Sequence, residues 1–294
     1  MMEKIYYFFE NSIWEEKHPL WQEPLIWIAR LIYLFIHGMT KNKLTIRATA
    51  LAYTTLLSIV PVIAVMLSFF KAFGGMSKIE AQIRPFILNN LSTGSGEIVQ
   101  KYLLTFTEKL HAGTLGLVSF ALLLLTVFGL LSTIEGAFND IWGVEKPRAL
   151  IHRFNAYWTL MTIGPLFMAF SVGVTSSLHA YSYPIQMFLK VLPTLLTWIL
   201  FTMLYAFIPN THVRFRSAFL GGVLAGSGWQ FAKYAYTIYV AKADTYSTIY
   251  GSLAALPIFL VWLYVTWLIV LMGAEISFAD QNIKTYREKR SSAS

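Results

Sequence analysis

Lys233 is the only charged residue in SAFLGGVLAGSGWQFAKYAYTIYV, residues 217–240. An ammonium in so apolar a run asks for a partner, a cavity, or a route to the membrane boundary. It lies about 8 residues from the far end, roughly 12 Å of helix, which is shallow enough to snorkel and deep enough to touch a bound anion. Two carboxylates, Glu135 and Glu275, stand at the ends of other apolar runs. Arg214 and Arg216 lie in IPNTHVRFR, and Arg148 and Arg153 in WGVEKPRALIHRF. If these segments reach one membrane face, acids and arginines share a level there. Two chemistries suit that set. One is capture of an anionic head group, because guanidinium and ammonium groups bind phosphate oxygens. The other is a structural salt-bridge network in which the charges satisfy one another. Lys233 and Glu275 are not expected to pair, because their helices run in opposite directions and place them at different depths.

Catalytic patterns were sought and not found. The histidines, His18, His37, His111, His152, His179 and His212, form no clustered metal motif, and there are no cysteines. Neither a P-loop nor a Gly-x-Ser-x-Gly elbow is present, and the GSG at 226–228 lacks the rest of a dinucleotide fingerprint. No catalytic residue, metal or cofactor is therefore expected.

The elements that must position these residues are membrane helices. The chain is 56% hydrophobic and only 13% charged, against about 25% charged in soluble domains. The net charge of +8 is dispersed between apolar runs, and no basic stripe with interleaved aromatics suggests nucleic acid. Six stretches reach spanning length: about 48–70, 114–133, 157–178, 186–208, 217–241 and 253–279. Before them, residues 24–37 form a run too short to span, with Trp27, Arg30 and Tyr33 spaced as in an amphipathic helix. It reads as a helix in the interfacial plane, or as a soluble helix packed on the membrane domain. The acidic start, MMEKIYYFFENSIWEEKHP, does not resemble a signal peptide.

These stretches divide the chain into a cytoplasmic region 1–47, a membrane domain 48–279 and a basic tail 280–294. With both termini cytoplasmic, the inner segments carry 15 Lys and Arg and the outer ones 6, as the positive-inside rule requires. The longest outer segment, 71–113, has apolar residues at helical spacing on either side of STGSG and predicts an external helical hairpin. Within the fifth stretch, Ala218, Gly222 and Gly226 recur every four residues, with Gly221 and Ala225 beside them. Such small residues permit close helix packing, or a surface along which helices slide. Pro61, Pro165, Pro193 and Pro257 fall inside four stretches, each removing a backbone hydrogen bond.

Three segments, RATALAYTTLLSIVPVIAV (47–65), AFNDIWGVEKPRALIHRFNAYWTLMTIGPL (137–166) and YAFIPNTHVRFRSAFLGGVLAG (205–226), resemble the YihY / virulence factor BrkB family of bacterial inner-membrane proteins. TYSTIYGSLAALPIFLVWLYVTWLIVLMGAEIS (245–277) adds to the match, which covers about 25 to 279. The resemblance implies a six-helix protein of the bacterial cytoplasmic membrane and supplies no agreed catalytic residues. An old ribonuclease BN label attached to some members finds no nuclease site here. Family-level ideas centre on the cell envelope, including lipid transport.

Together these readings predict an all-α integral membrane protein: a six-transmembrane-helix bundle with an N-terminal interfacial amphipathic helix and an external helical hairpin. The expected function is transport of a lipid or other anionic amphiphile, with membrane lipids as partners. The alternative is a structural or docking component of an envelope machine, contacting a protein partner through 71–113. An intramembrane enzyme or nuclease is the disfavoured third.

Overall fold

A computed structural model describes residues 12–14, 19, 22–72, 113–145, 183–241 and 255–291. Among the described residues there are six α-helices and no strand: α1 Glu23–Lys41, α2 Leu44–Ala72, α3 Gly113–Ile141, α4 Tyr183–Phe207, α5 Phe215–Ala241 and α6 Ala255–Ser291. A single 3-10 turn, Ser12–Trp14, precedes them. Five of the six expected spans coincide with α2 to α6. The expected span at 157–178, the hairpin between Ala72 and Gly113, and Arg148, Arg153 and Pro165 lie outside the described residues. Among the described residues two helices contain stretches long and apolar enough to cross a membrane, Ala121–Ile141 and Pro257–Arg290, while Leu44–Ile59 and Val191–Phe207 are shorter apolar stretches.

Local chemistry sets the helix ends. Pro24 sits in the first turn of α1, where a missing N–H costs nothing, and Glu23 and Lys41 complement the helix dipole at the two ends. Lys43 adopts a left-handed conformation, φ 51°, and turns the chain directly into α2. The end of α3 is a Schellman motif: Gly143, φ 65°, donates to Asp140 O at 3.2 Å, and Val144 donates to Asn139 O at 2.8 Å. Pro61 and Pro193 are interior to α2 and α4. Pro257 is not interior: α6 begins at Ala255, so this proline occupies the first turn, where its N–H would have no partner anyway.

The packing centre is α6, which touches each of the other five helices. Between Val270 and Ala279 it is buried nearly all round, as a central helix must be. Leu44, Ala48 and Leu51 of α2, Leu130 and Phe138 of α3, and Phe201 and Tyr205 of α4 close around Leu271 and Ala274. A second cluster joins Ile13 and Trp14 to Ile26, Leu31 and Leu34 of α1 and to Ala279 and Ile283 of α6. The apolar run of α6 therefore does not end in a loose tail. It continues as helix to Ser291, and α1 rests on that continuation.

Candidate functional site

Glu275 is fully buried on α6. Its Oε2 accepts a hydrogen bond from Asn42 Nδ2 at 2.8 Å, and its Oε1 is buried with no partner among the described residues. The carboxylate lies against the backbone of Gly38, and a Cβ at that position would collide with Oε1 and Cδ. Gly38 and Asn42 are one turn apart on α1, on the same slowly winding stripe as Ile26, Arg30 and Leu34. Arg30 is also buried. Its Nε donates to Ile13 O at 2.6 Å, and the guanidinium sits 5.9 Å from the Trp14 ring. Burial lowers its pKa, repulsion from Arg287 adds to that, and Glu23 partly offsets both.

Glu135 is buried on α3. Its neighbour Ile134 belongs to the same hydrophobic cluster as Ala274, the neighbour of Glu275. Arg214 and Arg216 lie at the exposed start of α5. The Arg214 backbone N–H donates to Gln281 Oε1 at 2.7 Å. Gln281 is six residues past Glu275 on α6, so these arginines stand roughly 9 Å along the axis from the buried carboxylate. The other hand of Gln281, Nε2, donates to His212 O at 3.0 Å, and Ser217 Oγ donates to Asp280 Oδ2 at 2.6 Å. Gln281 and Asp280 thus hold the first turn of α5 on α6, with an acidic group at the positive end of the helix dipole. The ion pair between Arg47 and Asp140 ties α2 to α3 at the same end. Among the described residues no group of three or more His, Asp or Glu could hold a metal ion.

The small residues of α5 serve two seams. Gly222 faces Thr202 of α4, and Gly226 faces Trp198 one turn earlier, so α4 and α5 run antiparallel in close contact. Gly221 faces Gly273 O and Ser277 of α6, and Ala225 lies against Gly273. Ala218 is fully buried beside these contacts. Gly273 in turn makes room for the Tyr205 hydroxyl, which donates to Val270 O at 3.0 Å. At this point the glycines of α5 and α6 leave the space that Trp198 and Tyr205 of α4 fill.

Lys233 is exposed on α5, with Nζ 5.8 Å from the centroid of the Trp229 ring. Trp229 lies one turn towards the middle of the helix. The ammonium thus rests near an aromatic ring carried one turn nearer the helix middle. Trp262 of α6 backs this shelf, 5.9 Å from Trp229 and 4.7 Å from Tyr236.

The residues that hold Glu275, Gly38 and Asn42, were not singled out from the sequence, nor were Asn139, Gln281 and Tyr205. A signal for the first two did exist: Ile26, Arg30, Leu34, Gly38 and Asn42 recur every four residues, which sets them along a stripe that winds slowly round the helix, each beside the next.

Among the described residues the architecture is all-helical, with a buried central helix and charged groups gathered towards one end. The chain belongs to the virulence factor BrkB family, whose model matches residues 35–294. It is 38% identical over 251 residues to a UPF0761 membrane protein of Alkalilimnicola ehrlichii, covering 82% of this chain and 56% of that one. A UPF0761 membrane protein of Photobacterium profundum is 35% identical over 258 residues, 85% of this chain and 80% of its own. One from Mannheimia succiniciproducens is 34% identical over 281 residues, 88% and 96% of the two chains. Against several such relatives, the Alkalilimnicola protein among them, the chain spans little more than half of their length. No solved structure matches.

Proposed function

We propose that this protein crosses the bacterial inner membrane six times, with both termini in the cytoplasm, and moves or hands on a lipid or another anionic amphiphile. The observation that carries this reading is Lys233, an exposed cation within an expected span, whose ammonium rests near the Trp229 ring, one turn nearer the helix middle. A lysine that merely tolerated the membrane would extend to the nearer boundary. One resting beside an aromatic ring suits an anionic group arriving at that depth. Arg214 and Arg216, exposed at the start of α5, supply the first contact for a phosphate at the cytoplasmic face. Glu135 and Glu275 are buried and serve the bundle rather than the ligand.

The test is extraction into native-lipid nanodiscs and mass spectrometry of the co-purifying lipids, comparing wild type with Lys233→Ala and with Arg214→Ala/Arg216→Ala. Enrichment of one anionic lipid over bulk membrane, lost in the variants, supports the reading and names the substrate class. A bulk-like profile in all three proteins overturns it and turns attention to a docking role for residues 71–113.

A further inference from the structure

Between α4 and α5, beyond the glycine contacts, the seam becomes polar. Gln230 Nε2 donates to Thr197 Oγ1 at 3.2 Å, and Trp198 Nε1 donates to Ser227 Oγ at 3.1 Å. Thr197 Oγ1 in turn donates a hydrogen bond to Pro193 O at 2.8 Å. These residues lie near the middles of α4, Tyr183–Phe207, and α5, Phe215–Ala241. If both helices span, that depth is the centre of the bilayer, where polar groups cost most. Ser227 and Lys233 are exposed, and Gln230 is half-buried. At 100° per residue, Arg216, Ser227, Gln230, Lys233 and Thr237 fall within an arc of about 120° on α5.

Helix association explains part of this, since interhelical hydrogen bonds hold membrane bundles together. It does not explain the remainder. A glutamine amide has two N–H groups and an acceptor oxygen; one N–H is used on Thr197, and the side chain, half-buried, has hydrogen-bonding capacity beyond that contact. Nor does association call for a cation one turn further along the same arc.

We infer that the α4–α5 seam is a membrane-facing polar path for a phospholipid head group, with the acyl chains remaining in the surrounding bilayer. This rests on the transport reading and adds the route to it. Arg216 stands at one end of the arc and Lys233 in its far half. Ser227, Gln230 and Thr197 lie between them as neutral hydrogen-bonding partners, which a phosphate can leave as readily as it reaches them. The occupant is a phospholipid because the path opens sideways onto lipid and carries positive charge without a described acidic residue on the arc.

The absence of cysteine from the chain makes a direct test possible. Ser227→Cys and Leu224→Cys sit one turn apart or less, and both native residues are exposed, but Leu224 lies off the polar arc. The full-length proteins are reconstituted in phosphatidylcholine liposomes and treated with a small, water-soluble, cationic methanethiosulfonate. Thiolates react and thiols in hydrocarbon do not. Ser227→Cys is expected to react at least about tenfold faster than Leu224→Cys, and to slow when phosphatidylglycerol is added. Gln230→Cys repeats the measurement should Ser227→Cys fail to fold.

Equal, slow reaction at all sites overturns the path, while the nanodisc result for Lys233→Ala judges the transport reading separately. Fast reaction unaffected by phosphatidylglycerol shows a water-filled seam and overturns the phospholipid assignment.

Discussion

Asn42 and Glu275, 233 positions apart in sequence, are joined by a hydrogen bond of 2.8 Å that fixes the end of α1 to the core of α6. Gly38 completes the joint by leaving the space the carboxylate fills. Gly38→Ala should therefore lower stability by about 1–3 kcal/mol, the usual cost of overpacking a rigid site. Glu275→Ala removes the atoms that the new methyl group would strike. The double variant should consequently be more stable than the sum of the two single losses, by thermal unfolding in one detergent. Simple additivity would show that the two residues do not share this space.

Glycines in the helices divide into two groups with opposite expectations. A Cβ at Gly222 meets Thr202 backbone as well as its side chain, so Gly222→Ala must push α4 from α5. Around Gly129 and Gly136 nothing lies within 4 Å of the added atom. Alanine at those two positions should be neutral or stabilise by about 0.5–1 kcal/mol, through the lower entropy cost of ordering it in a helix. The same thermal assay compares the three variants. Destabilisation by Gly136→Ala equal to that by Gly222→Ala would remove the distinction.

The contrast between Gly222 and Gly38 also shows what could be read in advance. Ala218, Gly222 and Gly226 stand at helical spacing within a strongly apolar run, so a close seam was legible from α5 alone. That Gly221 and Ala225 serve a second helix was not, because one helix face does not name its partner. Glu275 was legible as a charge needing an answer, and its sequence context pointed to arginines at the same level. The structure supplies Asn42 to one of its oxygens, because α1 folds back onto the continuation of α6, and nothing local to Glu275 encodes that return. Helix positions were legible for the five long apolar runs that fall within the described residues. The extension of α6 to Ser291 was hidden by its polar composition and is explained by the packing of α1 on Ala279 and Ile283.

Tyr205 is fully buried and its hydroxyl donates to Val270 O at 3.0 Å. Tyr205→Phe leaves that carbonyl with its helical partner but without the extra donor, and opens a small void against Gly273. The expected loss is about 1–2 kcal/mol. Gly273→Ala presses on the same hydroxyl, on the ring Cζ that phenylalanine keeps, and on Ala225, so the Tyr205→Phe background should relieve part of its cost. Equal effects in both backgrounds would place the strain at the ring and Ala225 and not at the hydroxyl.

At the end of the bundle that carries Arg47 and Asn139, two polar contacts of different burial should respond differently. Arg47 and Asp140 form an ion pair whose side chains are 33% and 49% exposed. Screening and side-chain entropy reduce such pairs to about 0–1 kcal/mol, so Asp140→Ala, which leaves the Arg47 Nε bond to Asn42 O in place, should change stability little, and less still at high salt. Asn139 is buried, and its Oδ1 accepts the Asn210 backbone N–H at 2.7 Å, pinning the α4–α5 connection to α3. Asn139→Ala strands that donor and should cost about 1–3 kcal/mol, largely independent of salt. Unfolding measured at low and high ionic strength separates the two. A large, salt-independent loss for Asp140→Ala would mean that its pair with Arg47 is shielded from water.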